Sequence, residues 1–304
     1  MPTPSVRRGG FTLVELLVAL VLFAIVGDAV YRIMVRTQRA TTAQTEQTAL
    51  QGNVRSGLQV LTNELREIGY DSLQEFAVAN AVKSDLVEIA ADRIRFKASR
   101  GLGFTCALAA NEIWIRKPFL GFRAPRLTDS LYIFVERDAK KGMDDDWVPR
   151  GITAIADDNC AGAPALKITL GSGLTDGVTV NTPLGTTYKT GGPVRVWEIM
   201  EYKLHATGGR SWLTAQSISA SEAAPQPVVG PLVAGTGLAF RYYNKTGAVV
   251  APGNAALHPT IRSVEITLKG ETERGSTRMT GGGAVGTQTW EVTSRVALRN
   301  NLRP

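Results

Sequence analysis

A single carboxylate, Glu15, stands five places into an apolar run that begins at Phe11. From Leu16 to Val26 no side chain is polar, and apolar character resumes from Ala29 to Val35. Read as one helix, 11–35 is about 37 Å long at ~1.5 Å per residue, enough to cross a hydrocarbon core of about 30 Å with some tilt. Arg7 and Arg8 keep the N-terminus on the cytoplasmic side, so whatever follows the helix is exported. An acidic residue costs on the order of 2.5–3.5 kcal/mol at mid-membrane and less near an end, and it persists only if something compensates it. Cleavage between Gly10 and Phe11 would make the compensator. The new α-amino group lies about one helical turn from Glu15 in its own chain and can pair directly with Glu15 of a neighbour. Glu15 would then set the register between packed helices.

Residues 10–20, Gly-Phe-Thr-Leu-Val-Glu-Leu-Leu-Val-Ala-Leu, resemble the prepilin motif of type IV pilins and type II secretion pseudopilins. The resemblance implies that a membrane prepilin peptidase removes Met1–Gly10 and N-methylates Phe11. It also implies that Glu15 is the assembly residue, neutralising the N-terminus of an adjacent subunit. Leu61–Tyr70, Leu-Thr-Asn-Glu-Leu-Arg-Glu-Ile-Gly-Tyr, is similar to the helix end of PilW-like minor pilins and the related J-type pseudopilins. Ser294–Asn300 is similar to their closing strand, and 304 residues exceed the usual major pilin.

What the resemblance implies is a minor pilin that primes or caps a type IV pilus. A type II secretion pseudopilin is the alternative, and a pilus-borne adhesin or DNA-uptake module is an alternative of another class. The implied partners are prepilin peptidase, other pilins and minor pilins, an inner-membrane assembly platform with its ATPase, and membrane lipid. The implied location is a single pass of the inner membrane with an exported periplasmic domain, and the pilus filament after assembly. Nucleic acid has little support: the net charge of +7 is scattered, with no run of five basic residues.

Past the membrane segment, Leu50, Val54, Leu58, Leu61, Leu65 and Ile68 recur at steps of four, four, three, four and three, the spacing of one helix face. Arg36–Gln47, rich in Thr and Gln, is expected to run exposed or against other subunits. Gly27 and Asp28 mark an expected soft point, and Gly69 an expected stop. The fold class expected is α+β and pilin-like. A long N-terminal helix over 11–69, with 11–35 transmembrane, packs its amphipathic half on an antiparallel β-sheet with additional β-rich elaboration. Residues 1–10 are the leader and 70–304 the exported globular domain.

Short segments punctuated by Gly, Pro, Asn and Asp predict strands at Arg93–Ala98, Glu112–Arg116, Ser130–Glu136, Ala165–Leu170, Val194–His205, Leu238–Tyr243, Thr260–Lys269 and Thr289–Leu298. Ser219–Val233, rich in proline, and Glu271–Gly286, with Gly281–Gly283, read as mobile surface loops. Cys106 and Cys160, 54 positions apart, lack the spacing of a zinc site. In an exported domain they read as one disulfide, worth roughly 3–4 kcal/mol on the chain-entropy model; two unrelated thiols are the alternative.

No catalytic residue, metal site or cofactor is expected, so the chain reads as non-enzymatic. His205 and His258 are the only imidazoles and read as surface or structural. No Gly-x-Ser-x-Gly elbow, HExxH or P-loop is present. Gly101-Leu102-Gly103 and Gly171-Ser172-Gly173 read as turns. Asp144-Asp145-Asp146 and Asp157-Asp158-Asn159 could hold Ca²⁺ but lack its alternate spacing, and read as solvated turns. Of Trp114, Trp147, Trp197, Trp212 and Trp290, the strand residues Trp197 and Trp290 read as core.

Overall fold

The computed structural model describes residues 10, 12–68, 84–136, 146–172, 174, 187–188, 190–273, 276–277 and 285–298. Helix α1 runs unbroken from Leu13 to Arg66, 54 residues or about 81 Å. It passes through Gly27–Asp28 without interruption, where Asp28 pairs with Arg32 one turn on at 2.8 Å. Gly69 lies outside the described residues.

The chain divides into two compact units, Met1–Leu50 with Thr272–Gln288, and Gln51–Glu271 with Thr289–Pro304. In the first, Ser276–Thr277 pair antiparallel with Val285–Gly286. The neck of that segment is closed by Thr272 N–H to Gln288 O (2.9 Å) and Gln288 N–H to Thr272 Oγ1 (3.0 Å). The expected Gly281–Gly283 loop tip lies outside the described residues.

The second unit carries the main sheet. Its longer strands are β1 (Leu86–Ile89), β2 (Arg93–Leu108), β3 (Glu112–Arg116), β4 (Ser130–Glu136), β5 (Asp146–Cys160), β6 (Ala163–Leu170), β7 (Pro193–Thr207), β8 (Arg210–Ser217), β9 (Gln226–Leu232), β10 (Leu238–Asn244), β11 (Ile261–Glu271) and β12 (Thr289–Ala297). All pair antiparallel. A long apolar helix and a large antiparallel sheet are consistent with an α+β, pilin-like fold.

Six strands close on themselves. β2 pairs with β3, β3 with β6, β6 with β5, β5 with β4, β4 with β7, and β7 returns to β2. The elaboration expected from sequence is therefore a closed circuit of strand pairings. Ile113, Ile115, Leu131, Ile133, Ile168, Val194 and Val196 form its buried core. β7 joins this circuit to the rest of the sheet: 194–197 pair with β4, and 200–207 with β8.

Helix residues Gln51–Arg66 dock within this unit. Val54, Leu61 and Leu65 are buried, as the helical spacing predicts, and Phe96 and Tyr202 stack in the same core. Gly57 permits the closest approach, because a Cβ there would come within 2.4 Å of Val229 Cγ1 on β9.

Three expectations are overturned here. Ser219–Val233 contains strand β9 rather than a loop. Pro227 and Pro231 lack N–H donors, so β9 pairs with β8 through register shifts and with β11 only at Leu232↔Gly270. Gly101 and Gly103 lie within β2, not in a turn: the Phe119 ring occupies the space where a Cβ at Gly101 would sit, 2.1 Å from Cε1. Asp157-Asp158-Asn159 lie in β5, not a turn, paired with Leu166, Ala165 and Pro164.

Candidate functional site

Thr12 stands immediately before α1 and Glu15 in its first turn. Thr12 N–H and Oγ1–H donate to Glu15 Oε2 at 2.9 and 3.1 Å, and Glu15 N–H donates back to Thr12 Oγ1 at 3.3 Å. The first N–H groups of any helix lack intrahelical acceptors, and this reciprocal Thr-x-x-Glu box satisfies two backbone donors there, those of Thr12 and Glu15. The Thr-x-x-Glu spacing of Thr12 and Glu15 is the sequence signal for this cap. The carboxylate thus caps its own helix through Oε2, and among the described residues nothing donates to Oε1. Gly10 is exposed, and Phe11 lies outside the described residues.

Beyond Glu15 the helix is bare. Its most apolar 18-residue window has mean hydropathy 2.5 and no residue buried. The core helix of a soluble domain would be covered; here Leu13, Leu16, Leu20, Phe23 and Ile25 are all more than half exposed. Such a surface needs lipid or other helices around it. In the polar stretch that follows, Thr37, Thr41, Thr42, Thr45 and Thr48 each donate their hydroxyl to the carbonyl four residues earlier, at 2.9–3.0 Å. The helix thus satisfies these hydroxyls itself, and the stretch is less hydrophilic than its composition suggests.

A buried ionic network holds the far end of α1 to the sheet. Arg100 of β2 reaches both carboxylate oxygens of Glu64 at 3.3 Å and also grips Glu198 of β7. Arg123 adds a bond to Glu198 at 3.0 Å and a two-pronged clamp on Asp129 at 2.5 and 2.7 Å. Ser217 of β8 donates to the other Glu198 oxygen. Burial pushes the Glu198 carboxyl up, but Ser217 and the two guanidiniums outweigh it and hold it below the usual glutamate range. Arg195, almost fully buried, donates to the carbonyl of Glu67 at 3.3 Å, where a cation complements the helix C-terminus. Lys97 donates to Tyr132 Oη at 2.7 Å and lies within 5.4 Å of the stacked Tyr132 and Trp197 rings. The sequence singles out none of these charged residues. Nothing local marks them, since their partners come from distant segments.

The remaining candidates take structural places. Cys106 of β2 and Cys160 of β5 form a disulfide. His258 is buried in the short helix Ala255–Thr260, with Nδ1 3.0 Å from Leu86 O. His205 is half-buried in β7. Asp157 pairs with Lys117 (2.7 Å), and Asp158 accepts from Trp114 Nε1–H (2.8 Å). Asp144 and Asp145 lie outside the described residues. Trp197 is buried; Trp290 is only half-buried, with Arg55 of α1 5.2 Å above its ring. Among the described residues no three His, Cys, Asp or Glu side chains gather as a metal site needs.

Residues 6–27 match the profile of the prokaryotic N-terminal methylation motif. That motif supports a type IV pilin-like protein, processed by prepilin peptidase and assembled with other pilins. Together with the bare apolar helix it fits a single-pass, membrane-anchored pilin. No curated protein and no solved structure gives a significant match.

Proposed function

We propose that this chain is a non-enzymatic, PilW-like minor pilin of a type IV pilus. Prepilin peptidase cuts between Gly10 and Phe11 and methylates Phe11. The subunit then waits in the inner membrane with residues 70–304 in the periplasm, until an assembly platform lifts it into the filament, where it primes or caps the fibre. Cohesion comes from packing of the exposed apolar helix, and register from Glu15 meeting the Phe11 amine of a neighbour.

The observation that carries this reading is a membrane-length helix that nothing covers, headed by a carboxylate with one oxygen unused. Capping the helix occupies one oxygen of that acid, and a helix that must find other helices has a use for the second. The W-type assignment rests on Leu61–Tyr70 and Ser294–Asn300 and on chain length. The same motif serves a type II secretion pseudopilin, and gene neighbourhood separates the two. An adhesin or DNA-uptake role draws no support from the tryptophans, which are buried or half-buried.

N-terminal mass spectrometry of the membrane form tests the processing. The expected species begins at methylated Phe11; an intact Met1 overturns the proposal.

A further inference from the structure

Strand β12 ends the sheet. It pairs with β11 over nine consecutive residues, Ser263↔Ala297 through Glu271↔Thr289, without a shift of register. Leu298 N–H donates to Arg262 O at 3.0 Å, which sets the phase of the ladder. In an antiparallel pair alternate residues turn their N–H and C=O to the same side. Trp290, Val292, Ser294 and Val296 therefore bond to β11, while Glu291, Thr293, Arg295 and Ala297 direct theirs outward. Among the described residues no strand covers that outer edge.

Sheet edges are normally blunted by short length, proline, bulges or charged side chains that stand across them. β12 has no proline and no bulge. Its polar side chains lean inward instead. Thr293 Oγ1 lies 2.9 Å from Thr267 Oγ1, Arg295 Nε donates to Ser263 Oγ at 2.8 Å, and the Arg295 guanidinium lies 3.8 Å over Tyr243. On the other face, Arg55 covers Trp290. The strand is held from both faces, and among the described residues no strand pairs with its outer backbone.

The inner neighbour displays what β12 accepts. β11 sets Glu265 opposite Arg295, Thr267 opposite Thr293 and Lys269 opposite Glu291. A strand on the outer edge would face the same three side chains. We propose that the outer edge of Thr289–Ala297 docks an extended segment of another polypeptide, which adds antiparallel to the sheet with an acid against Arg295 and a base against Glu291.

The test uses the full chain in detergent micelles and a fluorescent peptide with the sequence of Ser263–Glu271, read by anisotropy. Saturable binding is expected. Thr293→Pro removes one outward N–H and no bond to β11, and should weaken binding by about tenfold, the cost of a lost backbone hydrogen bond and a displaced partner. Glu291→Lys, an exposed change that decides the matter if the proline variant fails to fold, should weaken it about threefold, and a Lys269→Glu peptide should recover the loss. No binding to the unaltered chain, equal binding to Thr293→Pro, or indifference of Glu291→Lys to the peptide's charge would each overturn the proposal.

Discussion

Glu64 of α1 faces Arg100 of β2 with both carboxylate oxygens 3.3 Å from Nη1, and the same guanidinium grips Glu198 of β7. The helix is thus joined to the two strands that also build the closed circuit. Removing the shared cation strands Glu64 and leaves Glu198 to Arg123 and Ser217, whereas removing Glu64 leaves Arg100 paired with Glu198.

Arg100→Met is therefore expected to destabilise the folded unit by about 3 kcal/mol, the range for breaking a buried pair. Glu64→Gln should cost clearly less, since its side chain is twice as exposed as that of Arg100, 20% against 10%. Urea unfolding of the disulfide-intact protein would check this; equal losses would show that Arg100 is not the centre of the network.

Two glycines of α1 should respond with opposite sign. A Cβ at Gly52 meets nothing within 4 Å, so Gly52→Ala should stabilise by about 0.5–1 kcal/mol through helix propensity. A Cβ at Gly57 would lie 2.4 Å from Val229 Cγ1, so Gly57→Ala should destabilise despite the same propensity gain. Thermal melts of the two variants side by side measure the difference, and a stabilising Gly57→Ala would contradict the tight contact with β9.

Acid should loosen the network. Glu198 is held below its ordinary value by Ser217, Arg100 and Arg123 against the opposing effect of burial. A carboxylate with a depressed folded pKa contributes stability that is present above the unfolded value and lost as pH falls through the folded one. Stability should therefore fall below about pH 4.5, the ordinary glutamate value. Glu198→Gln, less stable at neutral pH, should show a shallower fall. An identical pH profile for the variant would mean that other carboxylates carry the effect.

The capping by Glu15 and its proposed role in assembly can be separated. Thr12→Ala removes the cap alone, at a cost of about 1 kcal/mol, and should still enter filaments. Glu15→Ala or Glu15→Val should be cleaved and inserted yet fail to enter them. Immunoblots of sheared filaments against membranes distinguish these outcomes, and normal incorporation of either Glu15 variant would remove the assembly role.

Legibility followed the range of the interactions. Glu112–Arg116 and Ser130–Glu136 were found to the residue, because alternation and flanking turns mark them locally. β8 was missed, although Gly208-Gly209, both with positive φ, form the two-residue hairpin turn that Thr207-Gly-Gly-Arg210 announces. β5 was missed for a different reason. Pro149, Gly151 and Asp157-Asp158-Asn159 are poor strand formers, and β4 and β6 impose the extended form on them by pairing along successive halves.

By itself the sequence determined the long helix, its membrane-length apolar half, the acid at position 15 and the buried stripe Val54–Leu61–Leu65. Each depends on residues within a turn or two of one another, so periodicity and charge suffice. Tertiary structure alone decided that six strands close into a circuit, that Arg100 joins Glu64 to Glu198, that Phe119 fills the space above Gly101 and that β12 is left with an open edge. Those are pairings between segments far apart in the chain. No local propensity encodes them, because the gain from burial and from a satisfied hydrogen bond exists only once both partners have arrived.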